Sequence, residues 1–228
     1  FISSNPENRN ETYQFSILED VVSPVVNNIG YISNVSSDQL KVTEGIYLNF
    51  SYIVDNTIPN QKFIIPTANV DTETIKVVVR ENAQASKTEI FTKVENILDV
   101  TAVDKVFFVQ ETDDSRYELI FGDDVFGRRV KNTDKITIEY LVTNKADANQ
   151  CSNFEFTGTL VYGGNNFAGT SPTLTVNQPA TGGADPENIT SIKYLAPRYY
   201  AAQNRAVTIR DYETLVNQLN RNLESISV

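Results

Sequence analysis

Residues 182–216 read GGADPENITSIKYLAPRYYAAQNRAVTIRDYETLV, and they predict two helices in a chain whose other segments are almost wholly β in pattern. Asp185 stands at a helix N-cap position and Pro186 at the first helical residue, where a missing N–H costs nothing. Pro197 is expected to end or kink this first helix at about Ala196. The apolar residues that recur at roughly helical spacing are Ile189, Ile192, Leu195 and Tyr199.

The second helix has a well-marked start. Thr208 and Asp211 stand three residues apart, as in a capping box with Asp in place of the usual Glu or Gln. Val207 and Tyr212 occupy the two positions of a hydrophobic staple. The apolar face that continues to about Asn222 consists of Ile209, Tyr212, Leu215, Val216 and Leu219.

A polar connector, residues 203–208, joins the two helices and contains no enzyme motif. One interpretation is a helix–helix turn whose side chains satisfy backbone groups left unpaired at helix ends. The other is a contact surface for another subunit. The residue types in the connector allow both.

The rest of the chain alternates with the period of β-strands. In Gly45–Asp55, one face carries the apolar residues Ile46, Leu48, Phe50, Tyr52 and Val54. Lys135–Thr143 alternates in the same way. Further strands are predicted at Gln61–Pro66, Thr74–Arg80, Glu89–Val94, Lys105–Gln110, Tyr117–Phe121, Phe154–Tyr162 and Thr173–Val176. Many short strands with frequent turns predict an α+β, mainly β fold, with antiparallel sheets or a sandwich followed by a C-terminal helical pair.

The pattern divides the chain into four segments. Residues 1–42 are expected to form a leader or linker, within which Tyr13–Val26 is either a short helix or an edge segment. Residues 43–150 form a β domain, and 151–181 a Gly- and Asn-rich β insertion or linker. Residues 182–228 form the helical segment. The absence of Met, including an initiator, suggests an internal fragment with more protein on both sides.

The composition excludes several classes of function. There is no His and one Cys, which excludes Ser-His and Cys-His catalytic units, His-ligated zinc and a disulfide framework. The formal net charge of −10 argues against nucleic-acid binding, and no apolar run is long enough to span a membrane. The glycine pairs Gly163-Gly164 and Gly182-Gly183 stand in neither a P-loop nor a GxGxxG motif. We therefore expect that the protein binds no cofactor and is not an enzyme.

Two acidic pairs are the candidates for chemistry. They are Asp113-Asp114 and Asp123-Asp124, and paired carboxylates can serve acid–base hydrolysis of a glycoside or bind a hard cation such as calcium. Both pairs fall in predicted turns, where Asp tolerates unusual backbone angles and accepts hydrogen bonds from nearby amides. Solvated turns are therefore one interpretation. A glycan-binding or carboxylate-dependent hydrolytic module is the alternative.

Two stretches together resemble the baseplate J-like family. The first is residues 117–128, YELIFGDDVFGR, followed by Asp134-Lys135-Ile136 and Glu139-Tyr140, which looks like the FGDG…G…Y hairpin of that family. Asp124 departs from the pattern, which usually has Gly there, but Asp is tolerated in a type I′ turn. The second stretch combines Gly182-Gly183, Asp185 and Glu187 with Ala196-Pro197-Arg198, residues 204–208 and Asp211-Tyr212-Glu213. Residues 63–79 are also similar to the baseplate wedge subunits of T4-like contractile-tailed phages.

This resemblance implies a structural protein of the virion. Members of the family form part of the inner baseplate ring around the tail hub, as dimers within each wedge. They contact neighbouring wedge proteins and rearrange when the tail sheath contracts. The implied location is the tail baseplate, assembled in the cytoplasm of the bacterial host, without cofactor, metal or nucleic acid. The interface residues that we expect on this basis are Arg198, Gln203, Asn204, Arg205 and Tyr212.

Overall fold

The α+β, mainly β fold class is confirmed by two sheets, of seven and four strands, and by two C-terminal helices. The structure is a computed structural model that describes residues 1–4, 11–18, 25–26, 29–30, 40–95, 97, 100–162, 164–167, 173–202 and 205–219. The strands are β1 (Ile2–Ser4), β2 (Thr12–Ser16), β3 (Val25–Val26), β4 (Ile29–Gly30), β5 (Thr43–Glu44), β6 (Ile46–Ile53), β7 (Phe63–Ile64), β8 (Val70–Arg80), β9 (Thr88–Lys93), β10 (Val106–Glu111), β11 (Tyr117–Phe121), β12 (Lys135–Val142), β13 (Asn153–Glu155), β14 (Leu160–Tyr162) and β15 (Asn165–Phe167). The helices are a 3-10 turn at Lys145–Ala148, α1 (Ile189–Ala202) and α2 (Ile209–Leu219).

The seven-stranded sheet has the order β6-β12-β8-β9-β10-β11-β7 and contains the larger core. Its pairs are antiparallel except for β9 and β10, which run parallel. Alternation along β12 buries Ile136, Ile138 and Tyr140 on one face, as the sequence predicts. The register of β12 against β8 shifts between Glu139 and Leu141, so Tyr140 and Leu141 are both buried.

The four-stranded sheet, β13-β1-β2-β5, has a small core of its own. Tyr13 and Phe15 pack there with the buried thiol of Cys151, and burial raises the pKa of that thiol. Ile2–Ser4, which the sequence pattern predicts as a linker, is a strand between β2 and β13. Thr12–Ser16 is also a strand, so the helix alternative is wrong for this described part of Tyr13–Val26.

Gly45 carries the chain from one sheet into the other. The residue before it pairs with β2, and the residue after it begins β6 against β12. Its φ is +136°, and a Cβ there would lie 3.1 Å from both Leu141 Cβ and the Val142 carbonyl oxygen. Glycine is therefore required by the backbone angle and by the close approach of β12.

The predicted inward face of β6 is only partly covered. Ile46, Leu48 and Phe50 share a face with the buried row of β12, yet they are 36–46% exposed. The reason is position, because β6 is the last strand of its sheet and the core does not extend beneath its outer half. Among the apolar residues predicted for this face, Val54 is buried.

The region after β12 differs from its prediction. Phe154–Tyr162 is not one strand but parts of two, since β13 joins the four-stranded sheet and β14 pairs with β15. Thr173–Val176 has no strand structure. The chain forms two compact units, residues 1–183 and 184–228, while the finer division at 42/43 and 150/151 remains a prediction. In the described residues, no helix is both long and apolar enough to cross a membrane.

Replacing Gly45 with Ala is expected to lower the free energy of unfolding by roughly 2–4 kcal/mol, because the left-handed strain adds to the contacts with β12. Chemical denaturation of both variants and the parent measures this loss. Gly164→Ala is the matched control, since Gly164 also has a positive φ of +79° but no atom within 4 Å of the added Cβ. Equal losses in the two variants would contradict the proposed crowding at Gly45.

Candidate protein–protein interface

The first helix begins later than the sequence suggests. Asn188 is its N-cap, since its side-chain oxygen accepts the Ser191 N–H at 2.9 Å. The prediction that Asp185 caps a helix starting at Pro186 is therefore wrong, and both residues precede α1. Asn and Asp are equally good caps, and Asn188 stands immediately before the first apolar residue of the helical face, Ile189.

Pro197 does not end the first helix, so that half of the end-or-kink prediction is wrong, and a kink at Pro197 remains a prediction. Helix α1 continues through it to Ala202. A proline removes one backbone donor, and the remaining hydrogen bonds of a 14-residue helix can hold the conformation. One turn apart on this helix, the Arg198 guanidinium lies over the Tyr194 ring, 3.7 Å from its centroid. This cation–π contact orients the Arg198 side chain.

The capping box of the second helix is confirmed. The Asp211 N–H donates to Thr208 Oγ1 at 3.3 Å, and the Thr208 N–H donates to Asp211 Oδ2 at 2.8 Å. The Val207 N–H donates to the same carboxylate at 3.2 Å. The hydrogen bonds from the Thr208 and Val207 amides lower the pKa of Asp211. Helix α2 starts at Ile209, one residue after the predicted cap.

The five predicted interface residues are only partly visible in the structure. Arg198 is half-buried against Tyr194, and Tyr212 is 49% exposed. Arg205 is exposed, and its N–H donates to the Ala202 carbonyl at 2.8 Å. Gln203 and Asn204 lie outside the described residues. Whether these residues form an interface remains a prediction.

The exposure of Ile189, Val207 and Ile209 is what sequence reasoning missed, because the pattern assigns them to the apolar helix faces and the hydrophobic staple. Tyr200 is 84% exposed, Val207 78%, Ile189 68% and Ile209 61%. The inward positions hold small residues instead, since Ala202 and Thr214 are the buried ones in the described part of the two helices. Exposed aromatic and aliphatic groups beside an oriented arginine are typical of interface centres. The two helices contain more apolar residues than one face of each helix can bury. This excess was the signal in the sequence that some of them are exposed.

The hairpin that contains Phe121-Gly122-Asp123-Asp124, the FGDD hairpin, is stabilised by hydrogen bonds to its own carboxylates. Asp123 Oδ1 accepts the N–H groups of Val125 and Phe126 at 3.0 and 2.9 Å, and these bonds lower the pKa of Asp123. Asp124 Oδ1 accepts the Arg129 N–H at 2.9 Å. Asp124 has a φ of +70°, which explains why Asp is tolerated where the family pattern usually has Gly. Both carboxylates thus act as turn residues.

The base of this hairpin is closely packed, and its tip carries two exposed apolar side chains beside the two carboxylates. Gly122 and Gly127 approach so closely that a Cβ on Gly122 would lie 2.1 Å from the Gly127 carbonyl carbon. The Gly127 N–H also bonds to the Thr101 carbonyl at 3.1 Å, which ties the hairpin to the preceding loop. Val125 and Phe126 are 61% and 46% exposed at the tip. The hairpin therefore presents two apolar side chains from a fixed loop.

The other acidic pair lies at the opposite end of β11. Asp114 forms an ion pair with Arg116 and accepts a bond from the Thr112 hydroxyl, and these partners lower its pKa to about 2. Five residues of strand separate the two pairs, which is about 13 Å or more at the rise of a β-strand. Glycosidase carboxylates lie closer than that. No group of three or more metal-ligating carboxylate or thiol side chains occurs in the described part of the chain.

Replacing Thr208 with Ala is expected to destabilise the helical unit by about 1 kcal/mol, because the Asp211 N–H loses its side-chain acceptor. Thermal unfolding followed by far-UV circular dichroism measures the loss. Thr190→Ala is the control, since Thr190 is exposed within α1 and forms no side-chain hydrogen bond to the described residues. A similar loss at both positions would contradict the cap.

The same cap predicts acid sensitivity of the second helix. The pKa of Asp211 is lower in the folded than in the unfolded protein. The stability that Asp211 contributes is therefore complete above its unfolded pKa of about 3.9, and it is lost as the pH falls through its folded pKa. Asp211→Asn should flatten this acid-dependent part of the unfolding curve. An unchanged acid limb in that variant would show that Asp211 does not contribute.

Replacing Asp124 with Val is expected to cost roughly 1–2 kcal/mol, because a β-branched residue resists the left-handed conformation. Asp124→Asn should be nearly neutral, since Asn adopts that conformation and keeps an acceptor for the Arg129 N–H. Denaturant titration of both variants checks the order. Equal stability of the Val and Asn variants would mean that the turn does not constrain residue 124.

Comparison with known proteins gives one informative similarity. The chain is 27% identical over 225 residues to the baseplate wedge protein gp6 of Enterobacteria phage T4, and the match covers 90% of this chain. The chain spans about a third of the length of that curated relative, 32%. No family model matches the chain. The similarity supports a distant relationship to baseplate wedge proteins.

Proposed function

We propose that this chain is a structural part of the baseplate of a contractile phage tail. The observation that carries the proposal is the similarity to a baseplate wedge protein along nearly the whole chain, through both compact units. The acidic pairs support a non-enzymatic role. The carboxylates of Asp114, Asp123 and Asp124 accept hydrogen bonds from residues of their own turns. The protein then belongs to the virion tail and is assembled in the host cytoplasm.

Its finer role is to form the inner baseplate ring as a dimer within each wedge and to contact other wedge proteins. The helical pair supports this part of the proposal. It presents an arginine oriented by Tyr194 together with exposed tyrosines such as Tyr200 and Tyr212. Arginine and tyrosine are enriched among residues that dominate binding energy. Arg198, Gln203, Asn204, Arg205 and Tyr212 are therefore proposed to contact a partner subunit.

Rearrangement on sheath contraction is the third part of the proposal. The chain divides into two compact units after Gly183. Gly183 is fixed to the first unit, because its N–H and C=O both bond to the side-chain amide of Asn149, at 3.0 and 2.8 Å. A conformational change would then begin at Ala184, where the second unit starts.

The glycan-binding or hydrolytic alternative finds no favourable geometry. Asp114 and Asp123 have lowered pKa values and partners within their own turns, whereas a general acid needs a raised pKa. The opposite ends of β11 keep the two pairs apart. The experiment below nevertheless tests this alternative directly.

The test is reconstitution of the full-length protein with the other wedge proteins of the same phage, followed by native mass spectrometry. We expect a defined complex that contains two copies of this protein. The double variant Arg198→Ala with Tyr212→Ala should weaken assembly at least about tenfold, since two interface anchors are lost. Lys87→Ala is the control because this side chain is 84% exposed on the other unit.

Two results would overturn the proposal. One is a full-length protein that joins no wedge complex and is absent from purified tails. The other is glycan binding by the parent that disappears when Asp113, Asp114, Asp123 and Asp124 are replaced with Asn while assembly is unaffected.

A further inference from the structure

Three cationic side chains converge on one carboxylate at the start of β9. Glu89 Oε2 lies 2.5 Å from Arg128 Nη1, and Glu89 Oε1 lies 3.3 Å from Lys105 Nζ and 3.8 Å from Lys87 Nζ. The cations come from separate parts of the chain, since Lys87 precedes β9, Lys105 precedes β10 and Arg128 belongs to the FGDD hairpin. We call Lys87, Lys105 and Arg128 the cation cluster.

The cation cluster has more positive charge than Glu89 can neutralise. Burial raises the pKa of Glu89, but hydrogen bonds from Arg128 and Lys105 outweigh it and lower the pKa, so Glu89 is ionised at neutral pH. Among the described residues, no other carboxylate forms an ion pair with the three cations. One negative charge therefore faces three positive charges, which leaves a local excess of two.

The neighbouring acidic side chains are engaged elsewhere. The Asp104 carboxylate accepts hydrogen bonds from the N–H and the hydroxyl of Thr101, both at 2.7 Å. Lys93, farther along β9, pairs with Glu73 at 2.5 Å and with Glu95 at 4.0 Å. The excess of positive charge occurs in a chain whose formal net charge is −10. The fold therefore concentrates cations at a place where the composition does not favour them.

Two members of the cation cluster are held in place before a partner binds. The Arg128 N–H donates to the Asp104 carbonyl at 2.8 Å, and the guanidinium carbon lies 5.8 Å from the centre of the Phe91 ring. The Lys105 carbonyl accepts the Thr92 N–H at 2.9 Å. The side chains of Arg128 and Lys105 nevertheless remain 26% and 42% exposed. A partner can reach them at a reduced cost in conformational entropy.

Glu89 does not satisfy the whole guanidinium group of Arg128. Its ion pair is with Nη1, whereas Nε is buried and no group in the described part of the chain accepts a hydrogen bond from it. A carboxylate that matched the guanidinium fork would form two parallel hydrogen bonds. Arg128 is therefore only partly neutralised and only partly hydrogen-bonded by its internal partner.

We propose that the cation cluster binds an acidic loop of another protein, which presents two carboxylates to Lys87, Lys105 and Arg128. A protein loop is favoured over a nucleic acid because the net charge of −10 repels a long polyanion, whereas a short loop carries little charge beyond what the cluster neutralises. This surface belongs to the first compact unit, and the helical pair belongs to the second. Its assignment does not depend on the similarity to a baseplate protein.

Titration of a fluorescein-labelled hexaglutamate peptide with the full-length protein, followed by fluorescence anisotropy, tests the site. We expect tighter binding than for hexaglutamine, and an affinity that falls as salt is added. The double variant Lys87→Gln with Lys105→Gln should weaken binding at least about fivefold, since two of the three charges are lost. Lys62→Gln is the matched control, because Lys62 pairs with a single carboxylate, Glu118, at 3.0 Å.

Replacing Glu89 with Gln is expected to tighten hexaglutamate binding at least about threefold, because the internal carboxylate that competes for the cations is removed. The Gln side chain keeps an oxygen that can accept from Arg128. Glu118→Gln is the matched control, since it changes the net charge equally but lies in the balanced pair with Lys62. If the ion pairs only fasten the hairpin to β9, Glu89→Gln gives no such gain. Circular dichroism of each variant confirms that it is folded.

Four results would overturn the inference. They are equal binding of hexaglutamate and hexaglutamine, a double lysine variant that binds as well as Lys62→Gln, a Glu89→Gln variant that binds no tighter than Glu118→Gln, and tighter binding of hexathymidylate than of hexaglutamate. The titration contains no wedge protein, so its failure leaves the proposed function to be judged by the reconstitution above.

Discussion

The double pairing of β12 is the interaction on which the rest of the structure depends. It bonds to β6 on one side and to β8 on the other, and these strands come from distant parts of the sequence. Ile136 and Ile138 are fully buried, and each such side chain stabilises the fold by about 1.5–3 kcal/mol. The Tyr140 hydroxyl keeps a partner in Thr67 Oγ1 at 2.8 Å. Without β12, β6 would have no pairing strand among the described residues, and β8 would keep only β9.

Much of the larger sheet could be predicted from alternation, but coverage of its faces could not. Alternation with a period of two residues shows which side chains share a face of a strand. For Ile136 and Ile138 that face does pack into the core. The same pattern in β6 misleads, because alternation does not reveal that a strand lies at an edge. Ser3 shows the opposite case. It is buried because its hydroxyl bonds to the Asn153 carbonyl at 2.6 Å, a partner 150 residues away that no local pattern indicates.

Local signals at the candidate interface had mixed success for a physical reason. The Thr208–Asp211 box is self-contained, since both partners lie within one turn, and it was predictable. Asp185 and Asn188 are competing caps three residues apart, and the choice depends on where helical packing begins. The exposure of Tyr200 and Ile189 depends on how the two helices meet, which is a tertiary property. The expectation that another baseplate subunit contacts the connector comes only from resemblance, since residue chemistry alone allows both a helix–helix turn and a contact surface.

The position of β1 has a consequence for synthesis on the ribosome. Its two neighbours are β2, only a few residues later, and β13, which begins at Asn153. At about 5–20 residues per second, translation reaches that strand roughly 8–30 s after β1 has been made. Until then one edge of the small sheet has no closing strand, while the seven-stranded sheet can form from residues already synthesised. The nascent chain should therefore form the seven-stranded sheet first and complete the four-stranded sheet last.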